Sequence, residues 1–329
     1  MKGLRLVPEE TNLNFIGLRF IAYAVSIILV AGSIGLTVKN GLNFGIDFTG
    51  GTVVEIQTPL SESAEVPDLA ELRTLLNGLA LGAVSIQEFG APDDLLIRLP
   101  QQACDGEGGD VACAEVQQMA IEDVRRALDD AFAEAGEVDY RRVEFVGPQV
   151  GAELKQQGML AVLFSMIGIL AYVWFRFEWQ FGVASVIALL HDAVVTIGLF
   201  ALTQMEFNLS TVAAILMIAG YSINDTVIVF DRIRENLRKF KKMPLPELFN
   251  KSVNEMLSRT LMTSGTTLLA LLALYLFGGE VIQGFVYALI FGIVIGTYSS
   301  VFVAAPILLN TGLKRGAPVA AEQAEGQEA

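Results

Sequence analysis

Four residues in otherwise apolar surroundings carry groups that hold protons or pair charge, and a fifth is polar: Asp225 with its neutral neighbour Asn224 in GYSINDTVIVFDRIREN, the adjacent His191 and Asp192 in SVIALLHDAVVTIGLFALT, and Arg259 in SRTLMTSGTT. A carboxylate in lipid costs about 2.5–3.5 kcal/mol on insertion scales, so it must be neutralised by a proton or paired with a cation. Asp225 precedes Asp231, the first charge that ends its apolar run. At 1.5 Å per residue it lies roughly 9 Å inside that boundary. Arg259 opens the next apolar run, with Thr263 and Thr267 following at i+4 steps, a polar face able to turn toward Asp225 at a matching depth. The arrangement admits two states. Beside Arg259 the acid is ionised, and away from it the buried acid takes up a proton. Alternation between them couples proton passage to helix movement; a permanent ion pair that fixes helix register is the plainer alternative.

His191 and Asp192 read differently. Adjacent helical residues point about 100° apart, so the two are not expected on one face. Asp192 lines up instead with Ser185, Thr196 and Thr203, a polar stripe expected to face the bundle interior. Its plainer role is a structural hydrogen bond to a neighbouring helix, worth ~0.6 kcal/mol on average, and packing is the reading for His191. In NFGIDFTGG, Asp47 precedes the Gly50–Gly51 pair. Glycine pairs permit a tight turn or close backbone approach, and this one reads as a hinge motif between a membrane span and the domain beyond it. Neither a P-loop lysine nor a following helix accompanies it, so no nucleotide or other cofactor is expected.

The elements that must position these groups are membrane helices. The 329 residues are 53% hydrophobic with a mean hydropathy of +0.52, too apolar for an ordinary soluble enzyme. A bilayer core of about 30 Å needs roughly 20 apolar residues, and six segments reach that length: 18–38, 158–177, 181–203, 209–230, 260–278 and 281–309. The first is longer than the apolar core of a signal peptide and reads as a retained anchor. The basic stretch 231–259 is placed in the cytoplasm by the positive-inside rule. Alternation then puts the N-terminus (1–17) and the tail (310–329) inside as well and exports 39–157 to the periplasm. Lys314 and Arg315 after the last span agree. The basic stretch is suited to anionic lipid, with a partner surface as the alternative. The tail, poor in bulky residues, reads as disordered. Gly292, Gly296 and Ser300 form a small-residue stripe suited to close helix packing, as does Gly220 beside Asn224.

The exported segment contains 22 Asp and Glu against 8 Lys and Arg, so it carries the whole net charge of −14. Such a surface argues against nucleic acid and anionic headgroups as its partners. Strand-like runs at 51–57, 84–89, 94–100 and 140–146 alternate with helical patterns at 67–80 and 114–135, in the latter with Met119, Val124, Leu128 and Phe132 at helical spacing. The order β-α-β-β-α-β is that of a ferredoxin-like α+β domain. The fold class expected is therefore a polytopic α-helical membrane protein with six transmembrane helices and a periplasmic domain between the first and second. Cys104 and Cys113 fall in this domain, eight residues apart, and in an oxidising compartment a disulfide is expected. No metal site is expected, since two thiols are too few and His191, the sole histidine, lies in the membrane.

Four motifs, FGIDFTGG, HDAVVTIGLF, GYSINDTVIVFDRIREN and SRTLMTSGTTLLALLALYLFGG, closely resemble those of the bacterial SecD/SecF protein-export membrane family, in the order found on its SecF side. The resemblance runs from about residue 12 to 312 and leaves out the cysteine-bearing loop and the tail. It implies a member of the resistance-nodulation-division superfamily in the bacterial inner membrane, not an enzyme. It implies work with SecD, the SecYEG channel and YajC on a translocating preprotein, driven by the proton-motive force. It assigns the proton-relay acid to Asp225 and its partner to Arg259. A small-molecule or lipid exporter half from the same superfamily and a passive scaffold are the alternatives; the exporter would carry a second large exported domain and a second six-span half in one chain.

Overall fold

The computed structural model describes residues 11–59, 68–82, 84–89, 91–102, 109–279 and 282–312. A 3-10 turn, Ile16–Leu18, leads into α1 (Arg19–Asn40), which ends at Gly41. A single helical turn, α2 (Ile46–Thr49), then precedes β1 (Gly51–Gln57), α3 (Leu69–Asn77), β2 (Ser85–Phe89), β3 (Ala91–Leu99), α4 (Gly109–Ala131) and β4 (Asp139–Val146). The rest is helical: α5 (Pro148–Arg176), α6 (Trp179–Thr203), α7 (Leu209–Lys239), α8 (Leu245–Phe277), α9 (Gln283–Ser299), a π-helical segment Ser300–Ala304, and α10 (Ala305–Asn310). Six of these units, α9 through α10 counting as one, are long and apolar enough to cross a membrane.

The strands form one antiparallel sheet in the order β2-β3-β1-β4. Connected as β-α-β-β-α-β, this is the split βαβ topology. Strand side chains alternate between faces, and the alternation builds the core. Leu95, Ile97 and Leu99 of β3 join Val54 and Ile56 of β1 beneath Leu72 and Leu76 of α3 and Val124, Leu128 and Phe132 of α4. Met119 does not belong to that stripe: it is exposed, and Ala120, four residues before Val124, takes the buried position. The opposite face carries Val53 and Leu96 onto Ile46 of α2, so central strand β1 is buried on both sides.

Three helices, α6, α7 and α9, form the buried centre of the bundle, while α1, α5 and α8 are largely exposed along their apolar stretches. Small residues set the spacing, as expected for Gly292 and Gly296 but not for Gly220, which is exposed with open space around it. A Cβ on Gly292 would overlap Ile218, one on Gly296 would press on Ser222, and one on Gly198 would overlap Ser33. Phe15, Phe177, Phe181, Phe230 and Phe249 pack one end of the bundle, and Phe200 and Phe207 the other, against Phe44 and Phe48 from the start of the sheet domain.

Two boundaries differ from the sequence expectation for a physical reason. The stretch 231–259 is helical on both sides of a short turn at 240–244, because Ile233 and Asn236 remain buried against Leu248 and Ser252 and extend the seam beyond the apolar run. Likewise α5 begins ten residues before the expected second span; hydropathy marks only the lipid-facing part of a longer rod. Cys104 lies outside the described residues, as do the chain before residue 11 and the tail from residue 313; Cys113 falls within α4, and the expected disulfide is therefore not described.

Candidate functional site

The centre of the bundle holds two buried acids in different circumstances. Asp225, on α7, is fully buried, and neither carboxylate oxygen has a hydrogen-bond partner among the described residues. Across the seam on α8, Ser264 and Arg259 lie close enough to influence its charge, but neither makes a hydrogen bond of ordinary geometry to its oxygens. The Ser264 hydroxyl is engaged instead with Thr297 Oγ1 of α9 at 2.8 Å. Arg259 is exposed, and among the described residues no salt bridge joins it to Asp225. The hydroxyls of Tyr221, one turn before Asp225, and Thr260, next to Arg259, are also buried without partners. Asn224 is exposed and lies outside this cluster.

Asp192, on α6, is equally buried but well satisfied. Ser222 Oγ of α7 and Ser299 Oγ of α9 donate to Oδ2, the latter at 2.7 Å, and His191 Nδ1 lies 2.9 Å from Oδ1. The sequence expectation that the adjacent His191 and Asp192 diverge is corrected here. The Cα–Cβ directions do differ, but the imidazole is long enough to lean across the helix to its neighbour. His191 Nε2 is buried without a partner among the described residues, and the ring lies 6.1 Å from that of Tyr298. The stripe that suggested Asp192 faces inward does not supply its partners: Ser185 donates to Phe181 O, Thr196 to Asp192 O and Thr203 to Leu199 O, all on α6. Ser222 and Ser299 are the members that sequence reasoning missed. Ser222 sits within the same motif as Asp225, three residues earlier, which is the signal available for it.

The Asp47–Gly51 motif reaches α7 at its N-terminal end. Asp47 Oδ2 accepts the Leu209 N–H at 2.8 Å, and Asn208 Oδ1 accepts the Thr211 N–H at 3.0 Å. Two side chains thus satisfy free amides at the start of α7, where the helix dipole favours the carboxylate. Gly50 and Gly51 have φ of +69° and +113°, values that glycine adopts freely. A Cβ at Gly51 would also meet the Leu99 carbonyl oxygen. The motif is therefore a backbone turn fastened to α7. Above it, Arg98 of β3 donates to Glu206 Oε2 at 2.6 Å and to Asn43 Oδ1 at 3.2 Å, and backbone hydrogen bonds join Gly45 N to Phe207 O and Phe207 N to Asn43 O. Among the described residues no group of three or more His, Cys, Asp or Glu is placed to hold a metal ion.

Fold and site together define a polytopic membrane protein with an α+β domain inserted after its first span and unpaired acid chemistry at its centre. Residues 127–314 match the family described as protein export membrane protein SecD/SecF, C-terminal, and residues 35–58 match the SecD/SecF GG motif. The protein translocase subunit SecF of Cereibacter sphaeroides is 48% identical over 316 residues, covering 96% of this chain and 94% of its own length. The subunit of that name from Rickettsia rickettsii is 45% identical over 305 residues, covering 93% and 94%. The crystal structure of SecDF, a translocon-associated membrane protein from a Thermus species, superposes with a TM-score of 0.78 at 36% identity. It covers 93% of this chain, and the chain spans 39% of that longer protein. The chain belongs to the SecD/SecF family of protein-export membrane proteins, which makes it a component of Sec protein export.

Proposed function

We propose that this chain, together with SecD, uses the proton-motive force to draw preproteins through SecYEG late in translocation, with Asp225 as the proton-relay acid and Arg259 as its partner. The observation that carries the reading is the Asp225 carboxylate, fully buried with both oxygens unpartnered among the described residues. A charge left there would be costly, so the site as it stands suits the protonated acid. Arg259, exposed on the next helix, suits the separated member of a two-state pair. A passive scaffold is disfavoured by the same geometry, since a pair that only fixed helix register would be closed.

In this reading the ferredoxin-like domain stands in the periplasm, both termini are in the cytoplasm, and the bilayer is the bacterial inner membrane. YajC joins the assembly. Rotation or sliding of α8 against α7 brings the guanidinium to the carboxylate, which releases its proton; the return movement reopens the site to proton uptake. One charge crossing 100 mV delivers about 2.3 kcal/mol, enough to shift a two-state element substantially, so several cycles serve one preprotein.

The test is preprotein translocation into inverted vesicles containing SecYEG, SecD and this protein, with and without a proton gradient. Wild type is expected to show gradient-dependent stimulation and Asp225→Asn to lose it at normal membrane levels. Asp225→Glu, which restores a carboxylate, should recover part of it. A stimulation retained in full by Asp225→Asn sinks the relay.

A further inference from the structure

Where α5 ends and α7 leaves the apolar bundle, Arg176, Arg234, Arg238 and Lys239 line one groove of about 510 Å³ together with Asp231 and Glu235. The two acids do not balance the four cations. Glu235 is engaged by Arg232 Nη1 at 2.6 Å, and Asp231 meets Arg176 at 3.3 Å. Among the described residues no carboxylate lies within the 4.0 Å of a salt bridge from Arg234, Arg238 or Lys239. Arg176 and Arg234 are also gathered on one ring: their guanidinium carbons lie 5.0 and 6.0 Å from the centre of the buried Phe177 side chain. A fold that brings like charges together on a fixed support leaves a positive potential that an anion would neutralise.

The surroundings say where that anion comes from. Trp174, Phe175 and Trp179, on either side of the α5–α6 turn, are 66%, 95% and 58% exposed. Tryptophan at the end of a span sits at headgroup level, and basic pockets between membrane helices at that level accept anionic headgroups. A water-soluble phosphate would meet the cations but would have no use for the aromatic surface that adjoins them. We propose that this groove binds the phosphate of an anionic phospholipid headgroup, with the lipid's chains lying along Trp174, Phe175 and Trp179. The site is independent of the relay at Asp225.

The full chain in detergent, exchanged with palmitoyl-oleoyl phosphatidylglycerol or the matching phosphatidylcholine, is tested for retained lipid by native mass spectrometry. Wild type is expected to retain the anionic lipid in preference to the zwitterionic one. Arg238 and Lys239 are exposed, so R238Q/K239Q leaves the packed bundle alone. It should weaken that retention roughly 30-fold, at about 1 kcal/mol per cation near the surface. R125Q/R126Q, which removes two cations from α4, should not change it, and excess inorganic phosphate should not displace the lipid. Equal retention of both lipids by wild type, undiminished retention by R238Q/K239Q, equal loss in R125Q/R126Q, or displacement by inorganic phosphate would each overturn the proposal.

Discussion

Asp192 and Asp225 are both buried carboxylates on central helices, yet they call for opposite substitutions. Asp192 accepts from side chains of α7, α9 and its own helix, so its removal strands donors rather than opening a site. Asp192→Leu should destabilise the bundle by about 1–3 kcal/mol, the cost of leaving buried hydrogen-bonding groups unmade, and Asp192→Asn by less. Thermal unfolding in detergent measures the difference. Asp225 was legible in the sequence because a single carboxylate in an apolar run has few structural explanations. Ser222 and Ser299 were not, since serine is unremarkable in a membrane helix and only the convergence of α7 and α9 on α6 selects these two. Nor could Arg259's exposure be read, because it depends on how α8 is turned about its own axis. A residue-scale pH effect belongs to the sheet domain. Burial, followed by the hydrogen bond to Asp129 and that group's charge, raises the Tyr140 hydroxyl above its ordinary value of 10.0. Its O–H lies 2.9 Å from Asp129 Oδ1 and 3.1 Å from Arg125 O, both acceptors. A group with a raised folded value contributes stability that is present below the unfolded value and is lost as pH rises through the folded one. The domain's melting temperature should therefore fall above about pH 10, where an ordinary tyrosine ionises, and Tyr140→Phe should flatten that fall.

At the scale of elements, the seam between α7 and α8 continues past the apolar run into a polar clamp. Asn236 Nδ2 donates to Ser252 Oγ at 2.9 Å and to Glu255 Oε2 at 2.8 Å, and Arg232 Nε donates to the same Glu255 oxygen at 2.6 Å. Asn236 lies three turns beyond Asp225 on one helix, and Glu255 one turn before Arg259 on the other, so the clamp holds the acid-bearing helix against the arginine-bearing one. Asn236→Ala should raise hydrogen exchange of α8 amides between residues 248 and 257 and leave the strands of the sheet unchanged. If exchange rises equally in both, the clamp is not local. Periodicity marked these helices as apolar spans, but hydropathy stops at Asp231 and the helices do not. Charged residues that satisfy one another across a seam carry the helix onward with no apolar signal.

At the scale of the whole molecule, the sheet domain is fastened to the bundle by polar contacts from separate parts of the chain. Arg98 reaches Glu206 and Asn43, while Asp47 holds the first amide of α7. Arg98→Ala should cost about 1–3 kcal/mol, since the partly buried Glu206 loses its partner. It should speed exchange of the Gly45 and Phe207 amides while β1 and β3 stay protected, an outcome that distinguishes a loosened attachment from an unfolded domain. The strand and helix order of the domain could be read from alternating and helical patterns. Its attachment could not: Arg98 and Glu206 are 108 residues apart, and neither stands out among its neighbours.

The domain's two links to the membrane are mechanically unlike. On one side the chain enters through the Gly50–Gly51 turn, which packs so closely on α5 that a Cβ at Gly151 would press on the Gly50 amide nitrogen. On the other, β4 ends at Val146, and only Gly147 separates it from α5, which runs unbroken for 29 residues to Arg176. At 1.5 Å per residue that rod is about 43 Å long. Tilting it by roughly 10° would swing the far end by about 7 Å, and with only Gly147 between rod and strand no compliant linker would absorb such a movement before it reached the sheet.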